Sequence, residues 1–385
     1  MNRLRVVLLA DFLEEGWPSM DLVADMLLQR LTGEQDRAID ATLVRPPLPR
    51  RLSGMVNHGR AFGVDRVAGR MWDYPKLAAT LADRFDVFHV LDHSYSQLVH
   101  ALPAERTIVT CHDLDTFRSV IDPEHERRSA WFRAMTRRIL EGLHKAGHIV
   151  CDTEATRDQL VTQAHITENR TSVVHNGPHP SCTPSAEASA DREAARLLGS
   201  SRSIIDLLHV GSAIPRKRID LLIRIVAAVG SGVRLVRVGG PFSAEQAALA
   251  RDLGVTSVAV LPFVDSATLA AIYRRSALLL IPSEREGFGL PVVEALACGT
   301  VVLASDIPAL REVGGAAVEY RPVGDVEAWR TAIASLLEER SQRPEAWAAR
   351  RARGIERAAA FSWSTYAREI AAVYARVSGR AVLSC

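Results

Sequence analysis

The chain has 385 residues, 48% of them hydrophobic, and its 47 basic and 45 acidic side chains leave a formal net charge of +2. That length suits two domains, and the apolar content suffices for two cores. So small a net charge gives no large single-sign field, which argues against nucleic acid as the main partner.

Cations are almost all arginine; lysine occurs only at Lys76, Lys145 and Lys217, so a lysine inside a motif stands out. The five cysteines, Cys111, Cys151, Cys182, Cys298 and Cys385, are odd in number, scattered and without CxxC spacing. This pattern predicts reduced thiols in a cytosolic protein, mostly as small core residues, not a disulfide frame or zinc site.

Taken from the N-terminus, Val6–Ala10 is too short for a signal-peptide core and runs into Asp11 and Glu14-Glu15, so it reads as a first strand. Strands are predicted at Arg5–Phe12, Ala41–Val44, Val87–Leu91, Thr107–Cys111, Ile149–Cys151 and Ser172–Val174. Helices are predicted between them, at Met20–Leu31, Lys76–Phe85 and Trp131–Leu143. Strands alternating with helices imply a parallel, doubly wound sheet. Pro178–Ala190, polar and small, reads as a linker leading into a helix near Arg192–Leu198. A second series follows, with strands at Leu207–Val210, Leu235–Val238, Val258–Leu261, Leu278–Ile281 and Val301–Ala304, and helices at Leu221–Val229, Leu269–Arg274 and Glu294–Cys298. Ser362-Trp363-Ser364 opens a last helix to Val377, and Ser378–Cys385 reads as a frayed tail. No stretch reaches the length of a membrane span.

The most informative segment runs from Ser283 to Thr300. An apolar strand ends in Glu286-Gly287-Phe288-Gly289-Leu290, followed by a helix with Pro291 at its start and Gly299 just past its end. Gly287 and Gly289 let the backbone approach a ligand closely. Ligands bind where strands end and helices begin, and free helix N–H groups favour an anion. Glu286 faces such a ligand from the loop and Glu294 from the helix. A second loop, Gly211-Ser212-Ala213-Ile214-Pro215-Arg216-Lys217-Arg218, sets three cations before a helix N-terminus. Like charge opposes the helix dipole there, so fold stability alone does not favour it; a docked diphosphate reverses the sign.

The Glu286-x7-Glu294 pattern in this setting resembles the nucleotide-sugar site of retaining GT-B glycosyltransferases of family 4. The resemblance covers nearly the whole chain and implies an α/β GT-B fold, two Rossmann-like domains facing across a cleft, the last helix crossing back to the first. On this basis residues 1–182 form the acceptor-side domain, 183–362 the nucleotide-sugar domain, and 363–385 the crossing helix and tail. It further implies transfer of a hexosyl group, with retention, from a nucleoside diphosphate sugar to a hydroxyl of a glycan, lipid-linked sugar or small molecule, the leaving diphosphate taking the acceptor proton. Gly211, Lys217 and Asp220 match the family's phosphate loop. Ser212 stands where the family has arginine, a contact left to Arg216 or Arg218. Lys217 is then a catalytic cation, and Glu286 holds hydroxyls of the donor sugar. Glu294 holds the ribose diol, while Phe263-Val264 flank the base.

On the acceptor side, His112 follows a strand and matches the histidine beside the transferred sugar, and Gly16 stands near the diphosphate. Asp113-Leu114-Asp115 spells D-x-D, but a cationic diphosphate loop makes a metal unnecessary, and no cofactor is implied. Asp92-His93-Ser94-Tyr95 resembles another cleft loop, and His175-Asn176-Gly177 the family's turn at the domain junction. Arg127–Arg138 forms a basic, partly aromatic helix, read first as a core-packed helix with a solvated basic face and second as a peripheral contact with an anionic membrane. The competing functions are a GT-B-fold epimerase or phosphorylase and a non-catalytic nucleotide-sugar-binding subunit, the last favoured by Ser212.

Overall fold

The structure, a computed structural model, describes residues 3–33, 38–199 and 204–380. The tail predicted to fray lies, from residue 381 onward, outside the described residues. The chain divides into two compact units, Met1–Asn176 with Ser362–Cys385, and Gly177–Phe361.

The first unit holds β1 (Leu4–Leu9), β2 (Ile39–Val44), β3 (Val87–Val90), β4 (Thr107–Cys111), β5 (His148–Cys151) and β6 (Thr171–Val173) in one sheet of order β2-β1-β3-β4-β5-β6. Every pairing is parallel. Alternate residues of β1 serve opposite faces: Val7 and Leu9 join one buried cluster, Val6 and Leu8 another. Such burial on both faces is why these strands read as continuous apolar runs.

The helix Trp363–Ser378 belongs to this unit, in line with the predicted return of the last helix. Ser362 caps it by accepting from Thr365 N–H at 3.1 Å. Trp363, Tyr366, Ile370 and Tyr374, spaced for one helical face, pack with Val6 and Leu8. Tyr374 Oη lies 2.7 Å from His89 Nδ1 beneath the sheet.

The second unit holds β7 (Ile205–Val210), β8 (Val233–Val238), β9 (Val258–Leu261), β10 (Leu278–Ile281), β11 (Val301–Ser305) and β12 (Glu319–Arg321), in the order β12-β11-β10-β7-β8-β9. It too is parallel throughout. Leu279 and Ile281 feed one core cluster, Leu278 and Leu280 the other. Strand order reverses between β1 and β3 in the first sheet and between β7 and β10 in the second. Ligands of doubly wound sheets bind at such reversals, outside the carboxyl ends of the strands.

Two departures from the predicted elements have local causes. The helix predicted over Lys76–Phe85 runs only over Tyr74–Ala79. Thr80 Oγ1 bonds back to Leu77 O at 2.7 Å, and Thr80 and Leu81 make tight i→i−3 bonds that end the helix. The edge strand β12, Glu-Tyr-Arg, carries no apolar run to announce it, as suits an edge that must not recruit partners.

Candidate functional site

In the second unit, the loops after β7 and β10 flank the strand-order reversal and are tied together directly. Glu284 N–H donates to Arg216 O at 2.8 Å. Lys217 Nζ donates to both oxygens of Glu286, at 2.6 and 2.7 Å. Arg216 reaches Glu286 Oε2 at 3.3 Å and Arg285 O at 2.9 Å. Burial opposes ionisation of Glu286, but the Lys217 and Arg216 charges outweigh it and hold its carboxyl below the usual range. Arg218 turns away: it pairs with Asp220 at 2.9 Å from a left-handed backbone, φ 50°. Of the two candidates for the cation missing at Ser212, Arg216 is therefore the one beside Glu286.

The backbone here admits little substitution. Gly211, at φ 150°, has the Lys217 side chain lying over it, 3.8 Å from where a Cβ would sit. A Cβ on Gly239, just after β8, would meet Gly211 O at 2.3 Å. Gly289 is left-handed at φ 93°, with a Leu310 methyl 2.7 Å from its Cβ position, and it opens the helix Leu290–Ala297.

Glu294 sits on that helix, buried, and accepts from Tyr273 Oη at 3.1 Å. Burial pushes its carboxyl up to about 7, against the lowering effect of bonds from Tyr273 and the His179 backbone. His209 is buried near Lys217 and Arg237, and burial with those cations lowers it to about 3, so it is neutral. The Phe288 ring lies in the core, 5.8 Å from Phe361, which leaves only its backbone for a ligand. Leu290 is half-buried at the first position of its helix. Phe263 is well exposed and Val264 packs partly on the core.

In the first unit, the loops after β1, β3 and β4 gather a buried ionic cluster. His112 Nδ1 donates to Asp152 Oδ2 at 2.7 Å and Nε2 to Leu91 O at 2.8 Å. Two acceptor-only partners make the ring an imidazolium. Burial opposes that charge, yet Asp152 outweighs it and raises His112 to about 10. The sequence reading pointed His112 at a ligand; the structure commits both of its ring nitrogens within the unit. Asp92 accepts from Ser94 N–H and Oγ–H, each at 2.7 Å. Arg70 lies over the Tyr95 ring at 4.1 Å, with Glu15 at 3.7 Å. Burial and then Asp92 push Asp11 well above the carboxylate range. Gly16 is left-handed at φ 69° and closes the turn Leu13–Glu15 at the exposed end of this loop. Asp113 Oδ1 accepts from Asp115 N–H at 2.9 Å, so the D-x-D spelling folds as a local turn. Among the described residues no group of three or more His, Cys, Asp or Glu could hold a metal ion.

Sequence reasoning did not find Asp152, Arg70, Tyr273, His209 or Gly239. Gly239-Gly240 at a strand end was an available signal; Arg70 comes from a π-helical turn, Gly69–Asp73, with no local signature. Four described cysteines are buried and free, as the scattered spacing predicted. No helix among the described residues is long and apolar enough to cross a membrane.

These geometries have known counterparts. Residues 200–353 match the family described as Glycosyl transferases group 1, and residues 27–181 match Glycosyltransferase Family 4. Over 232 residues the chain is 36% identical to a D-inositol 3-phosphate glycosyltransferase of Mycobacterium sp. strain KMS, covering 57% of this chain and 49% of that protein. The chain thus spans about half the length of the curated relatives it matches. A sucrose-phosphate synthase from Thermosynechococcus elongatus has a similar structure, with a TM-score of 0.75, 18% identity and coverage of 98% of this chain and 100% of that one. HepE of Anabaena, solved with UDP-glucose, has a TM-score of 0.71 at 16% identity over 97% of this chain and 100% of that one. With both halves matched and the fold shared along its length, the chain belongs to the group 1, family 4 glycosyltransferases of GT-B fold.

Proposed function

We propose that the chain transfers a hexosyl group from a nucleoside diphosphate sugar to an acceptor hydroxyl, with retention and without a metal ion. The observation that carries this reading is the Lys217–Glu286–Arg216 cluster at the β7/β10 reversal, with Glu294 on the adjoining helix. HepE bound to UDP and to UDP-glucose supports a donor of this class.

In the proposed reaction the acceptor oxygen bonds to the anomeric carbon as the bond from that carbon to the phosphate oxygen breaks, on one face. The acceptor proton passes to the leaving phosphate. Negative charge grows on that phosphate, and Lys217 and Arg216 stabilise it more in the transition state than in the ground state. Their pairing with Glu286 pre-orders both loops. Glu286 shares its oxygens between these cations and the sugar hydroxyls. Gly211, Ser212, Gly287, Gly289 and Leu290 bring backbone up to the diphosphate, and Gly16 of the acceptor-side unit is assigned to it as well. Phe263 and Val264 flank the base. His112 enters as a fixed positive charge near the sugar, since its ring protons are already committed.

Glu294 provides a test with a sign. A carboxylate accepting both ribose hydroxyls must be ionised, and burial holds this one protonated up to about pH 7. Nucleotide binding should therefore release a proton near pH 7, and affinity should rise as pH increases through that value. Titration calorimetry in buffers of different ionisation enthalpy measures the proton. Glu294→Gln should abolish the release and raise the donor KM, whereas Glu286→Gln should mainly lower kcat. Wild-type kinetics in both variants would remove the site assignment.

A further inference from the structure

A cavity of about 270 Å³ lies wholly within the first unit. It is bounded by the π-helical turn carrying Arg70 and Met71, by Ser94 after β3, by Asp115 and Ser119 after β4, and by the helix Ala130–Lys145. It therefore opens from the carboxyl ends of the same strands that carry the His112 cluster, where this kind of sheet binds ligands.

Among the polar side chains of its lining, Arg66 and Ser119 stand without partners. The half-buried Arg66 guanidinium makes no hydrogen bond or ion pair among the described residues. Ser119, 2% exposed, has a hydroxyl with no hydrogen-bond partner among the described residues. Buried polar groups are nearly always bonded, so an orphan lining a cavity points to something that fills it. The other charges of the lining are engaged. Arg128 pairs with Glu126 at 2.7 Å, Asp115 has Arg118 at 3.8 Å, and Arg70 holds Ser94 O at 2.9 Å. The uncompensated charge is thus the cation of Arg66, and its matching ligand is an anion.

Thr116 and Thr136 also line the cavity, and the rest of its wall is apolar: Val67, Met71, Phe132, Met135 and Ile139. It continues outward, since Phe132 is 38% exposed and the chain neighbours Trp131 and Trp72 are 59% and 57% exposed. Methionine and aromatic surface of this kind accommodates a flexible apolar chain. The volume falls just below the roughly 300–1,000 Å³ of pockets that enclose whole ligands, which suits a head group and the start of a chain.

We propose that this cavity is an acceptor subsite for an amphiphilic anion, a phosphate-class group carried on an apolar arm, with Arg66 and Ser119 holding the anion and Phe132 and the methionines the arm. The assignment as an acceptor subsite rests on the transferase reading above. The anion chemistry is shared by a lipid head group and by a soluble alkyl phosphate.

The test is titration calorimetry of n-octyl phosphate, inorganic phosphate and n-octyl glucoside, below their micelle concentrations, against the whole chain. UDP, GDP and ADP are titrated in parallel. Octyl phosphate should bind, and the other two probes, each lacking one half of its chemistry, should bind at least about tenfold more weakly. Arg66→Ala should weaken octyl phosphate by about ten- to hundredfold, the range for a hydrogen bond to a charged group. Ser119→Ala should weaken it about two- to tenfold. Equal octyl phosphate binding in both variants and wild type, or equal binding of octyl glucoside, overturns the subsite. If that happens while a diphosphate still binds, only the subsite fails. If no diphosphate binds while the Arg66-dependent site persists, the acceptor assignment falls with the transferase reading. Vesicles of phosphatidic acid in phosphatidylcholine separate the sources. Arg66-dependent binding to them places the anion on a lipid, and octyl phosphate binding without vesicle binding places it on a soluble amphiphile; either supports the subsite.

Discussion

Lys217→Ala is expected to lower turnover of the nucleotide sugar by about 10²–10³, the usual cost of removing one preorganised electrostatic donor. The ammonium is held 2.6 and 2.7 Å from the Glu286 oxygens, so it does not search for its position during the reaction. Its effect should fall mainly on kcat, because the charge it meets grows as the glycosidic bond breaks. The substitution has a second consequence. Glu286 is nearly fully buried, and with Lys217 gone Arg216, at 3.3 Å, is the neighbouring charge left to offset the cost of its burial, beside the Ser283 hydroxyl. Lys217→Ala and Glu286→Gln should therefore be non-additive, the double variant losing less than the product of the single losses. Ser212→Ala should do little, since a neutral hydroxyl stabilises less charge than a cation. The measurement is release of nucleoside diphosphate by the four variants, with folding checked by thermal melt. A Lys217→Ala enzyme keeping more than about a third of wild-type kcat, against the expected loss, would move the phosphate site elsewhere.

The largest effect on stability is expected at Asp152. His112 and Asp152 form a buried ionic pair with the imidazolium proton shared at 2.7 Å. Breaking such a pair by removing one partner costs about 3–5 kcal/mol, because the remaining charge stays buried. Asp152→Asn should destabilise the first unit by this amount at pH 6. A histidine raised from its ordinary value to about 10 stabilises fully below its unfolded pKa. That contribution is lost as pH rises through the folded value. The gap between variant and wild type should accordingly narrow from about pH 6.5, the unfolded value, toward pH 10. Urea denaturation at a series of pH values measures it. A variant within about 0.5 kcal/mol of wild type at pH 6, the range of an indifferent surface change, would show that the pair holds nothing in place.

The central strands were legible because a parallel strand inside the sheet is buried on both faces and so leaves an apolar run in the sequence. Leu278–Ile281 and Val301–Ala304 are buried throughout. The donor-side loops were legible for a related reason. Glycines at positive φ, a proline at a helix start and one of only three lysines are local facts, and Lys217 and Glu286 meet because both loops end strands that pair side by side. What stayed hidden depends on contacts between distant segments. Nothing near His112 in the chain announces that Asp152, forty residues on, will accept its Nδ1–H. Phe288 illustrates the converse: inside a ligand-binding motif its ring serves the core, and only packing against Phe361 reveals it. The helix Ala130–Lys145 was read mainly as core-packed, yet Trp131 and Phe132 at its start are exposed, and its buried residues, Thr136, Gly142 and Leu143, lie further along it.

In the proposed function the β7/β10 loops hold a nucleoside diphosphate through Lys217 and Glu294 without a metal ion. Titration calorimetry of UDP, GDP and ADP in excess EDTA tests it most directly. At least one of the three should bind to the wild-type chain in chelator, and Lys217→Ala or Glu294→Gln should weaken it by at least about tenfold, the size of one lost charge-assisted bond. Binding that appears only when Mn²⁺ or Mg²⁺ is restored, or that is equal in wild type and both variants, would contradict it.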